Sequence, residues 1–270
     1  MCRDKPAFSS ATFHSPADIS ASSHPNASMC SLSSQITSME PFSPPFAIDK
    51  KAKRYGCYID VDGKPHKASR TGDWAVFDFT DTSHISNFEL VPLRLTAEMS
   101  TIWKCSKPLA FGSHASVRFE ETVHYPVVKI AHPTDRCRRL VEREFNIMRG
   151  LSNLDAVARV GGEPLADQDG IFGFRLEHLY RVELEDLQQR SQEVRKLLET
   201  LHGAGYCHGD YSFSNIMQNQ EGRLVLIDLA FAGPLGSQIP ESFPKHLLPG
   251  GRYSTNIDQE RMERWGKFRC

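Results

Sequence analysis

The residues able to do chemistry are concentrated in one stretch, Tyr206–Met217, which holds His208, Asp210 and Asn215, and in the apolar run Leu224–Ile227 that ends on Asp228. An acid and an amide five residues apart fall on a loop just after a predicted helix. A second acid closes a short apolar strand. An aspartate at the mouth of a buried strand costs stability unless a cation meets it. The oxygens of Asn215 and Asp228 form a hard-ligand pair suited to Mg²⁺, which typically takes one or two protein carboxylates and completes its shell with phosphate oxygens. Asp210 is then left to orient a hydroxyl nucleophile.

The elements that must position these groups follow from periodicity. Three short strands are expected over Thr101–Phe111, Ser116–Thr122 and Tyr125–Ala131, and a helix from Asp135 to Leu151 capped by Thr134 or Asp135. Gly170–Leu176 reads as an apolar strand. Leu184–His202 reads as a helix with Leu187, Val194, Leu197, Leu198 and Leu201 as its buried stripe and Gly203 as its stop. Two further strands are expected near Ile216-Met217 and at Arg223–Ile227. Upstream, Tyr58–Val61 runs into the Asp62-Gly63 turn signal, and Trp74–Phe79 is strand-like. Strands first and helices later predict a β-rich lobe followed by a helical one.

With these elements in place, His208, Asp210, Asn215 and Asp228 resemble the catalytic loop and metal-binding acid of the protein-kinase-like phosphotransferase superfamily, whose loop reads H-x-D-x-x-x-x-N. The resemblance implies ATP and Mg²⁺ as cofactors, with Asn215 and Asp228 as metal ligands and Asp210 as the catalytic acid. It also implies a phosphate-anchoring lysine on a strand. Lys129 in Val127-Val128-Lys129-Ile130 matches that position. Its partner should be a glutamate on the next helix, where Leu140, Glu144, Met148 and Leu151 form one stripe. Glu144 therefore falls on the buried face, and Glu142 shares a solvated face with Arg138, Asn146 and Arg149. The Gly-rich loop would lie over Ala110–Val117, with Gly112 as the surviving glycine. Val117, Val127 and Met217 would enclose an adenine ring, and the Glu177 carbonyl and Leu179 amide of the lobe connector would hydrogen-bond it.

Departures from the family pattern are equally specific. Gly209 stands where protein kinases carry arginine, a form shared with aminoglycoside phosphotransferases and choline kinases. Ser212 replaces a lysine, and Asp228-Leu229-Ala230 replaces Asp-Phe-Gly. Asp258, within a short helix expected near Asp258–Phe268, reads equally as a lobe-anchoring aspartate or as a helix N-cap.

Composition bounds the rest. A net charge of −1 over 270 residues supplies no global positive field for a polyanion, so no nucleic-acid partner is expected. The apolar runs fall far short of the ~20 residues that span a bilayer. Seven cysteines without a CxxC pair read as free thiols. With no apolar leader at the N-terminus, the expected location is cytoplasmic or nuclear. Residues 1–48 read as a disordered Ser/Pro-rich tail, residues 49–95 as a strand-and-turn extension, and residues 96–270 as a protein-kinase-like domain. In that domain the N-lobe runs to about residue 176 and the C-lobe starts at about residue 180. The expected fold is α+β and two-lobed: a small antiparallel β-rich N-lobe with one main helix and a truncated helical C-lobe. The expected activity is transfer of phosphate from ATP to Ser/Thr hydroxyls of a protein partner. A small-molecule phosphotransferase and a pseudokinase scaffold are the alternatives.

Overall fold

Why Lys129 faces a helix and not water follows from how its sheet is covered. The computed structural model describes residues 54–61, 64–71, 89–121, 123–245 and 247–266. The tail 1–48, the turn at Asp62-Gly63, the run Trp74–Phe79 and the residues after 266 lie outside them. Strands β1 (Arg54–Val61), β2 (Lys64–Thr71) and β3 (Glu89–Pro92) pair antiparallel in that order, with Val61 opposite Lys64 across the turn. Helix α1 (Ala97–Cys105) follows. Next come β4 (Lys107–Phe111), β5 (Ala115–Phe119), β6 (Val127–Ala131) and helix α2 (Asp135–Gly150), and then β7 (Leu165–Asp167) and β8 (Gly170–Leu176). These five strands form one antiparallel sheet in the order β4-β5-β6-β8-β7.

Both faces of this sheet are covered. On one side Val127 and Ala131 join a core with Val141, Phe145 and Met148 of α2. On the other, Val128 and Ile130 pack against Met99 and Trp103 of α1. A strand buried on both faces reads as a continuous apolar run, which Val127-Val128-Lys129-Ile130-Ala131 very nearly is. Here the structure corrects one expectation: the first half of Thr101–Phe111 is helical. Thr96 caps α1 by accepting the Met99 N–H at 3.3 Å, and Met99 and Trp103 at i and i+4 aim at the sheet. The buried guanidinium of Arg118 on β5 then donates to the Trp103 and Ser106 carbonyls, satisfying the C-terminal end of α1.

The C-terminal part is mainly helical. A short β9 (Tyr180–Arg181) leads to α3 (Leu184–Gln189) and α4 (Ser191–Gly203), so the single predicted helix is broken at Arg190. Strand β10 (Tyr206–Cys207), the loop carrying His208–Asn215, β11 (Ile216–Gln218), β12 (Leu224–Leu226), β13 (Gly233–Pro234) and α5 (Thr255–Gly266) complete it. β9, β11 and β12 form one small sheet and β10 pairs with β13. The expected α+β architecture is thus observed, an antiparallel five-stranded sheet with one long helix followed by a helical part. Helix α1 is an addition to it.

Candidate active site

Alternation along β6 puts Val128 and Ile130 toward α1 and Lys129 toward α2. On α2, Thr134 accepts the Cys137 N–H at 3.3 Å as N-cap, and Leu140, Glu144 and Met148 are buried. Exposed Glu142 lies on the other side, as its solvated stripe predicts. Lys129 Nζ lies 2.9 Å from Glu144 Oε1 and 2.7 Å from Oε2. The same ammonium lies 2.9 Å from Asp228 Oδ1. One cation therefore serves two carboxylates in unequal surroundings. The Glu144 side chain is 2 % exposed and that of Asp228 39 % exposed.

Burial and the shared ammonium together set the protonation tendencies. Burial pushes the Glu144 carboxyl up to about 7, with Lys129 pulling against it. Burial also works against Asp228, but there the Lys129 charge prevails and holds the carboxyl below its ordinary range. For Lys129, burial disfavours the charged form, and the two carboxylates outweigh it and hold the ammonium well above its ordinary value. Asp228 is the one described non-glycine residue with positive φ (59°, ψ 54°). A left-handed residue with a side chain costs roughly 1–2 kcal/mol, less for aspartate than for most. Such strain at the end of a buried strand, on a carboxylate that stays partly exposed, fits a residue placed for use.

The loop opposite is built around Gly209 and Asp258. Gly209 has φ +76°, and a Cβ there would lie 2.4 Å from the Phe231 carbonyl oxygen. No side chain fits, which accounts for the departure from arginine at this position. His208 is fully buried. Its Nε2 is 3.0 Å from the Ile227 carbonyl and its Nδ1 accepts the Asp210 N–H at 3.3 Å, tying the loop to the strand that ends at Asp228. Asn215 donates from Nδ2 to the Asp210 carbonyl at 2.8 Å. With its donor end committed to the loop, the amide has its oxygen left for a cation.

Asp258 resolves the two readings open at the sequence level. It is the fourth residue of α5 and fully buried. Its Oδ2 accepts the His208 N–H at 2.8 Å and its Oδ1 accepts the Gly209 N–H at 2.9 Å. His202 Nε2 of α4 is 3.0 Å from Oδ2. The side chain anchors the loop and does not cap α5. Burial opposes its charge, and His202, His208 and the two N–H donors more than compensate, holding the carboxyl below its ordinary range. One turn along the same helix, Arg261 Nη1 donates to Asp210 Oδ1 at 2.8 Å. Sequence reasoning missed Arg261. The available signal was the i, i+3 spacing from Asp258, which puts both on one helix face.

Burial, and next the charge of Asp228, push the Asp210 carboxyl up, while Arg261 and His208 pull it down. The charge of Asp228 is therefore felt at Asp210. Among the described residues no group of three or more His, Cys, Asp or Glu side chains could hold a metal ion alone. Two oxygen donors from Asn215 and Asp228 fit a magnesium ion that completes its shell with phosphate oxygens.

On the connector side, Val127, Val117, Leu179 and Met217 share one apolar cluster. Glu177 does more than offer a carbonyl. Its carboxylate accepts the Arg159 N–H at 2.7 Å and its own N–H donates to the Arg159 carbonyl at 3.1 Å, which sets the course of the connector. Gly112, in the β4–β5 loop, donates its N–H to the Ala115 carbonyl at 2.8 Å, and its carbonyl faces His132 Nε2 at 2.9 Å. His114 meets the Phe231 ring edge-on, 5.5 Å between centroids, so the loop rests on the segment that follows Asp228.

No protein-family model and no curated protein matches the sequence. Among solved structures, the chain is similar to a chain in the structure of the CAK complex from Chaetomium thermophilum bound to ATP-gamma-S, at 16 % identity and a TM-score of 0.44. The match covers 60 % of this chain and 61 % of that one.

Proposed function

We propose that this protein is a Mg²⁺-dependent phosphotransferase of protein-kinase type that moves the γ-phosphoryl group of ATP to a serine or threonine hydroxyl of a protein. The observation that carries the reading is Lys129 held between Glu144 and Asp228, with Asp210 on the adjoining loop. Phosphoryl transfer asks a protein mainly for alignment and charge neutralisation. Lys129, kept charged by its two partners, would take the α- and β-phosphate oxygens. Val117, Val127 and Met217 would flank the adenine, with Glu177 and Leu179 offering backbone groups to its edge. Asn215 and Asp228 would hold Mg²⁺, which when bound neutralises charge on the phosphate oxygens. Asp210 would accept the hydrogen bond of the acceptor hydroxyl and take its proton as the new P–O bond forms and ADP leaves. A second reading, a small alcohol as acceptor, draws on the uncharged Ser212 and Ser214 that follow Asp210, whose hydroxyls lie 2.8 Å apart.

Two measurements test this. Mg-ATP should raise the melting temperature, since saturation at 100-fold Kd adds about 2.7 kcal/mol, and Asp228→Asn should abolish the shift. A shift that persists without Mg²⁺ would refute the metal assignment. Labelled ATP offered with mixed proteins and with amino-alcohols should label protein. Label on an alcohol alone establishes the second reading, and Mg-ATP binding without any transfer establishes the scaffold alternative.

A further inference from the structure

Helix α5 turns one face onto the His-Gly-Asp triplet. Asp258 grips its backbone at His208 and Gly209, and Arg261 grips the side chain of Asp210. The guanidinium makes a second contact, from Nη2 to the Leu247 carbonyl at 3.2 Å. The Arg261 and Asp210 side chains are 18 % and 27 % exposed, so the pair is largely shielded but not sealed from solvent. A planar fork fixed at two points by a carboxylate and a backbone carbonyl restricts rotation of that carboxylate far more than a lysine would. Ser212 and Ser214, the neighbouring polar side chains of the loop, pair with each other and carry no charge. Asp210 Oδ1 is thus committed to Arg261, which leaves Oδ2 for an acceptor.

We propose that Arg261 is a positioning residue for phosphoryl transfer, holding Asp210 by Oδ1 so that Oδ2 is presented to the acceptor hydroxyl. This rests on the phosphotransferase reading and adds to it a residue from outside the catalytic loop. Arg261 itself forms and breaks no bond. Its contribution is orientation, and displacements of about 1 Å at a reacting group can cost on the order of 100-fold in rate.

The test is a double-mutant cycle on the full chain. Arg261→Ala should lower kcat about 10- to 100-fold while KM for ATP and the Mg-ATP melting shift stay within twofold. Arg261→Lys should recover part of the rate, and guanidinium ion should rescue Arg261→Ala but not Asp210→Asn. In an Asp210→Asn background, Arg261→Ala should cost nothing further, because the group it positions is gone. Additive losses, or a loss that tracks the melting temperature, would overturn the proposal by making Arg261 merely structural. A rise in kcat would overturn it in the other direction and mark the ion pair as a brake. If Arg261→Ala fails to fold, Arg261→Gln and Arg261→Lys carry the same cycle. A wild-type chain that turns over no ATP sinks the phosphotransferase reading and this inference together, whereas turnover that is indifferent to Arg261 sinks the inference alone.

Discussion

The two ends of the candidate site hold their charges by opposite means. At the Lys129 end a single ammonium is shared by two carboxylates, and burial pushes the carboxyl of the more buried one, Glu144, up to about 7 against the pull of Lys129. At the Asp210 end the charge of Asp258 is fully buried and spent on two backbone N–H groups and a histidine. Nothing there can be exchanged without leaving a buried group unpaired. One end shares a cation whose partners can exchange, and the other spends a buried charge on hydrogen bonds that cannot.

The largest effect should come from breaking the rigid end. Asp258→Ala strips two buried N–H donors and His202 of their acceptor, a loss on the order of 3–5 kcal/mol by analogy with breaking a buried ion pair. Urea unfolding is the check, and a loss below about 1 kcal/mol would mean that the anchor is dispensable and the contrast with the Lys129 end is false.

Acid should separate the two ends by pH. Burial drops both His114 in the β4–β5 loop and His132 after β6 to about 4 from an ordinary value of 6.5. Between those limits the unfolded chain binds more protons than the folded one, so stability is retained above about pH 6.5 and falls as pH drops toward 4. For His132, which is 2 % exposed, the loss between pH 7 and pH 5 is on the order of 2 kcal/mol. Asp258 has a lowered carboxylate pKa, and its contribution is lost only as pH falls below the ordinary aspartate range. Glu144 works against the histidine loss, because a folded carboxyl raised to about 7 takes up a proton over the same window. The histidine part is therefore read as a difference: His132→Gln should raise the stability at pH 5 relative to pH 7 by on the order of 2 kcal/mol against the wild type, and no such difference in urea unfolding would erase the distinction.

How much of this could be read from the chain depends on sequence separation. Lys129 and Glu144 were legible because a period of two and a period of 3.6 each place one side chain on a buried face. Asp228 was legible as an acid ending an apolar strand. Arg261 was not, and the anchoring role of Asp258 was legible only as one of two readings, since nothing local couples a helix face to a loop about 50 residues earlier. Helix α1 was misread for a related reason. Its segment Thr101-Ile102-Trp103 is β-branched and aromatic and favours a strand, and covering the outer face of β6 makes Met99 and Trp103 helical partners.

The smallest effect probes the adjustable end. Thr134 caps α2 through a long contact of 3.3 Å to the Cys137 N–H, so Thr134→Ala should cost about 0.5–1 kcal/mol. Helix α2 carries Glu144 two and a half turns further on, and its position is set by Leu140, Phe145 and Met148 in the core far more than by its first turn. The Mg-ATP melting shift should therefore survive this substitution intact. If loosening the first turn of α2 also weakens nucleotide binding, then Glu144 is held by the cap and not by packing. The adjustable end would then depend on helix order, a different kind of adjustability from the exchange of partners around one ammonium.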